Sequence, residues 1–164
     1  MEQLGPKEVA RQNVIYEIIT GEQAYKKDLD MLETAFHEPL RLADPPVVHP
    51  VRLVEFTNQV FANLDELRTH SGRLIGAFLV RQREQNPVVH SIGDIILDAA
   101  LEWGQAYMDY AEAQVMGEYL VNEEKNQNSA FSTFLAVRYL VLGLTAFTRL
   151  TCLSLPGRVL AVPT

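Results

Sequence analysis

A chain of 164 residues, 48% apolar and 21% charged, is long enough for one domain with its own core and is ordinary in composition for a globular protein. A net charge of −7 argues against nucleic acid or an anionic membrane surface as the partner. The single cysteine, Cys152, excludes an internal disulfide, and the lack of any histidine after His90 to pair with it argues against cysteine catalysis.

Residues 1–6 read as a short leader without the basic and apolar regions of a signal peptide, and Pro6 is placed to open a helix. That helix is expected from about Lys7 to Phe36. Val14, Ile18, Tyr25, Leu29, Leu32 and Phe36 recur at intervals of three, four or seven, which lays six large apolar groups along one stripe. Glu17 lies beside this stripe, and Gly21 and Ala24, four and seven positions on, share its flank. A carboxylate next to two residues with almost no side chain forms a shelf that a partner's backbone can approach. Gly21 costs its helix about 1 kcal/mol relative to Ala, which fits a position selected for smallness. The plainer reading is a solvated acid at the edge of a core helix.

His37 to Pro50 holds four prolines and is expected to be an irregular connection, with His37 and His49 solvated in it. A second helix is expected from Val51 without interruption, because Leu53, Phe56, Val60, Leu64, Leu67, Ser71, Leu74 and Phe78 step by three or four. Glu66 and His70 have the spacing of two metal ligands, but no second pair completes a site, so a surface pair is expected. Asn86-Pro87 marks a break over Gln85–Ser91. A third helix follows from Ile92 through Ile96, Ala99, Trp103, Tyr107 and Tyr110, fading through Met116 and Leu120, with the aromatic residues in the core. Asn122–Ser129 is expected to be a turn, and Ala130, Phe131 and Phe134 begin a fourth helix. No strand pattern, repeat, phosphate loop or paired E-x-x-H motif occurs before residue 135. The expectation is an all-α helical bundle with no metal or cofactor.

The run V-I-Y-E-I-I-x-x-E-x-x-Y-x-x-D-L followed by F-x-x-P-L resembles the first conserved region of the Dbl homology domain, the module of guanine-nucleotide exchange factors for Rho-type GTPases. Val14, Ile15, Glu17, Ile18, Ile19, Glu22, Tyr25, Asp28, Leu29, Phe36, Pro39 and Leu40 carry the match without a gap. Val60-Phe61-x-Asn63-Leu64-x-x-Leu67-x-x-His70, Ile92-Gly93-Asp94-Ile95, and Asn128-Ala130-Phe131-Phe134 extend it, with wording most similar to fungal exchange factors of the cell-wall-integrity type. The resemblance implies an elongated antiparallel bundle, a Rho-family small GTPase as partner, and a cytoplasmic protein without a transmembrane segment. It also implies that Glu17, which matches the family's first-helix glutamate, contacts switch I of the GTPase. Glu22, Tyr25 and Asp28 match the motif too, but the spacing places Tyr25 in the core and Asp28 near the surface.

The resemblance covers residues 7–134 as a partial domain and stops there, leaving 135–164 as a divergent apolar tail. Those 30 residues hold no acidic residue and no Lys, only Arg138, Arg149 and Arg158. Their longest apolar stretch, Tyr139–Phe147, is about half of the roughly 20 residues that a membrane span needs. No residue matches the family's third conserved region, which the resemblance assigns to switch II and to Mg²⁺ eviction. The change fits an altered reading frame, a retained intron or a truncated gene model, which translation of the neighbouring frames would test. The alternative is a divergent member whose last helix, about Ala130–Leu150, caps the bundle. Two functions therefore stay open: an exchange factor, or a non-catalytic helical module that binds a GTPase without exchange.

Overall fold

Pro6 supplies the fixed φ and the missing N–H that the first turn of a helix tolerates, and α1 runs from it over Pro6–Leu32. The computed structural model describes residues 4–142. A π-helical turn, Glu33–His37, carries α1 directly into α2 (Glu38–Arg41). Helix continues five residues past the expected end at Phe36, through Pro39. The wider turn shifts the hydrogen-bond ladder just before Pro39, the residue that can neither donate to it nor fit a regular interior turn. Then follow α3 (Pro50–Val60), α4 (Leu64–Glu84), α5 (Gly93–Gln127) and α6 (Ser129–Val141). Every regular element among the described residues is helical, as the apolar spacing predicts.

Several further expectations are corrected. Tyr25, Leu29, Leu32 and Phe36 are buried as expected, but the start of the α1 stripe slips by one residue: Ile15 and Ile19 are buried against Phe78, Val89 and Ile92, while Val14 and Ile18 are 56% and 40% exposed. Both pairs are apolar and four apart, so spacing alone cannot choose between them. On α5, Ala99, Trp103 and Tyr110 are buried as expected, but Ile96 and Met116 are exposed, and Gly117 and Val121 are buried one residue on from Met116 and Leu120.

The second helix is broken at Phe61–Asn63, where Ala62 takes a positive φ of 28°. The corner swings Phe61 into the core and lets the Asn63 side-chain amide donate to the Ala106 carbonyl at 2.8 Å. The expected polar turn at Asn122–Ser129 shrinks to Asn128. Its side-chain oxygen accepts from Ala130 N and Phe131 N, capping α6, and its amide donates to Val47 O and Glu124. Finally, His37 lies in the π-helical turn and not in a solvated loop, whereas His49 stays exposed in the connection as expected. His37 bonds Glu33 at 2.9 Å and lies against the Phe61 ring, while His49 Nδ1 accepts from Val51 N at the start of α3.

The main core joins Leu29, Leu32 and Phe36 of the first helical run to Phe56, Leu67, Tyr110 and Phe131. Trp103, Tyr107 and Tyr110 face inward from α5 as expected, and burial pushes the Tyr107 and Tyr110 hydroxyls up to about 12. His70 is drawn further in than a surface pair. Its ring stacks on Trp103 at 5.0 Å, with Glu66 3.6 Å away on the rim. Of the expected apolar tail, residues 135–141 form the second half of α6, where Leu135 is buried and Tyr139 lies 5.5 Å from Phe36. Residues 143–164 of that tail, and 1–3 of the leader, lie outside the described residues.

Candidate functional site on the first helix

Once Ile15 and Ile19 take the inward stripe, about 100° per residue puts Val14, Glu17, Ile18 and Gly21 together on one open flank of α1. Glu17 is exposed, and among the described residues its carboxylate has no hydrogen-bond or ion-pair partner. A Cβ built on Gly21 would meet nothing within 4 Å, and Ala24 one turn on is also exposed. The expected shelf is therefore present, and it is more apolar than the sequence implied, because Val14 and Ile18 border it.

The opposite side of α1 holds the shelf still. Glu22, buried at 8% exposure, accepts a 2.5 Å hydrogen bond from the Ser71 hydroxyl of α4. Burial raises its carboxyl above the usual range, and the Ser71 bond offsets part of that. Tyr25 is buried against Tyr107, and Asp28 is half-buried near the surface. One turn on, Asp30 bonds Lys26 on its own helix and Arg68 Nε on α4 at 2.9 Å. At the N-terminal end, Arg11 donates to the carbonyls of Val89 and His90, and Gln12 both donates to Val89 O and accepts from Val89 N. These side chains satisfy backbone groups of the extended segment before α5, which would otherwise have no ladder partner. Arg81 reaches the Ser91 carbonyl from the other side and pairs with Asp94.

Sequence reasoning placed Glu17, Gly21 and Ala24 correctly on one flank but missed Val14, Ile18 and the Glu22–Ser71 support. The signal for the last was weak: Ser71 fell on the predicted apolar stripe of α4, as a polar residue among leucines. Chemically, the flank offers one free carboxylate between apolar side chains. It can accept hydrogen bonds or pair with a cation from a docking chain.

A family model described as the RhoGEF domain matches residues 14–142. Rho1 guanine nucleotide exchange factor 3 of Schizosaccharomyces pombe is 32% identical over 134 residues, covering 81% of this chain and 10% of that protein. RHO1 GDP-GTP exchange protein 2 of Saccharomyces cerevisiae is 29% identical over 133 residues, covering 81% and 10%. Intersectin-1 of Xenopus laevis is 31% identical over 137 residues, covering 82% and 8%. The chain thus spans about a tenth of the length of the curated relatives it matches.

Proposed function

The chain belongs to the RhoGEF domain family, and from that premise we propose that it promotes release of GDP from a Rho-type small GTPase in the cytoplasm. Such a factor makes and breaks no covalent bond. It binds the nucleotide-free conformer more tightly than the loaded one, and the difference in affinity drives release. The observation that carries the reading is the open flank of α1. In this proposal Glu17 accepts hydrogen bonds from switch I, Val14 and Ile18 exclude water around that contact, and Gly21 lets the partner's backbone come close.

A second reading rests on residues 143–164, which lie beyond the family match and carry no sequence resembling the family's third region. Binding survives on part of an interface, whereas exchange requires both switches to be engaged, so the chain is then a binder without exchange activity. Release of a fluorescent GDP analogue from a panel of Rho-type GTPases separates the two. Acceleration that falls about tenfold or more in Glu17→Ala, equivalent to about 1.4 kcal/mol or more of lost transition-state stabilisation, supports exchange through α1. No acceleration, with capture of nucleotide-free GTPase that Glu17→Ala abolishes, selects the binder. Neither release nor capture by the folded chain refutes both.

A further inference from the structure

The inward face of α5 is fully used, with Ala99, Trp103, Ala106, Tyr110, Gly117 and Val121 buried towards α3 and α4. Its outward face is unusual for a solvated helix side. Leu97, Leu101, Met108, Val115 and Tyr119 follow one another at steps of four and seven, and all are exposed, Leu101 at 78% and Val115 at 76%. At 100° per residue they fall within a narrow sector opposite the buried set, a continuous apolar stripe about 33 Å long. Scattered exposed apolar residues need no explanation, but a helix-long stripe in register marks an interaction surface.

The stripe is bordered by one sign of charge. Asp98, Asp109 and Glu112 stand along one edge, and between Gly93 and Glu124 the helix contains no Lys or Arg at all. A second copy of this chain laid antiparallel could match the stripe geometrically, with Met108 on the axis. It would also bring the acidic edge against itself, with Asp109 of each copy meeting across the axis and Glu112 beside it, acid against acid, which disfavours self-pairing. A helix with apolar residues at heptad spacing and Lys or Arg on its flanks satisfies both the stripe and its border.

We propose that the outward face of α5 docks a basic amphipathic helix of another polypeptide segment, with the apolar stripe seating its leucine-type side chains and the acidic border pairing with its flanking cations. The surface lies on a different helix from Glu17, so its test does not depend on nucleotide exchange.

The test uses the 164-residue chain and a synthetic 22-residue helix with leucines at heptad a and d positions and lysines at e and g, followed by fluorescence anisotropy. A counterpart with glutamates at e and g is the control. The double variant Leu101→Asp/Val115→Asp adds negative charge on exposed positions, so attraction by charge alone would strengthen binding. The expected result is saturable binding of the lysine peptide that weakens with salt, is about tenfold or more weaker in the double variant, and is absent with the glutamate peptide. Binding that is retained or tightened in the double variant overturns the stripe. A monomeric chain that ignores the lysine peptide overturns the proposal, the stripe then being closed from within the same chain. A dimer that the double variant dissociates assigns the stripe to a second copy and overturns it equally.

Discussion

Gly21 provides a test in which stability and binding should move in opposite directions. It sits well inside α1, in a regular turn, with nothing within 4 Å of the position its Cβ would take. Gly21→Ala therefore removes the backbone-entropy cost of glycine without introducing any contact, and the full propensity difference of about 0.8–1 kcal/mol should appear as added stability. Urea unfolding followed by far-UV circular dichroism should show a higher midpoint at an unchanged slope. If the flank is the docking surface, Gly21→Leu should keep most of that gain, since the side chain projects into solvent. It should nonetheless weaken capture of nucleotide-free GTPase by about tenfold, because about 1.4 kcal/mol is lost when a close backbone approach is obstructed. A destabilised Gly21→Ala would refute the reasoning at its base, since it would mean that α1 packs something against this flank. A stable Gly21→Leu variant with undiminished capture would refute the docking role alone.

Burial raises the Glu22 carboxyl, so the folded chain holds a proton that the unfolded chain releases above its ordinary 4.5. Stability is therefore fully retained below that value and falls as pH rises through the window up to the raised one. Glu22→Gln keeps an acceptor for Ser71 and should flatten this slope and be more stable at neutral pH, as measured by unfolding midpoints between pH 4 and 8. Ala62→Gly should stabilise by about 0.5–1 kcal/mol, since a left-handed backbone costs an L side chain roughly that or more, and thermal melts would show it. Leu67→Ala empties a fully buried position between α1 and α5 and should cost about 2–5 kcal/mol in urea unfolding.

The helical class was legible because apolar residues return every three or four positions through most of the described chain, although the four expected helices are divided into six among the described residues. The prolines of His37–Pro50 and Asn86-Pro87 located two of the breaks. What escaped the sequence has specific causes. Val14-Ile15 and Ile18-Ile19 present two adjacent stripes of equal hydrophobicity, and only the position of Phe78, Val89 and Ile92 selects one. The corner at Phe61–Asn63 leaves the spacing of three and four almost intact, because its residues still pack inward, and Ala62 offers no glycine to mark the positive φ. Polar residues at 122–127 read as a turn, but Glu124 is buried and paired with Arg52, so a helix continues beneath an apparently loop-like composition.

The same limit applies to the two glutamates of the α1 motif, and their separation shows how a site is assigned once environment is known. Glu17 and Glu22 match the family pattern equally well as letters. Five residues at 100° each turn them about 140° apart, so a helix packed on one side must treat them differently. Glu22 is enclosed, bonded to Ser71, and shifted by burial; its removal acts on the α1–α4 contact and hence on stability. The Glu17 carboxylate is exposed and has no hydrogen-bond or ion-pair partner among the described residues, so its removal should leave folding unchanged and act on what docks from outside. Two substitutions five positions apart therefore divide cleanly. One should change the unfolding curve and its pH dependence; the other should change only GTPase binding and exchange. A chain in which Glu17→Ala altered stability while Glu22→Gln altered capture would reverse the assignment of the two faces, and with it the docking geometry proposed for α1.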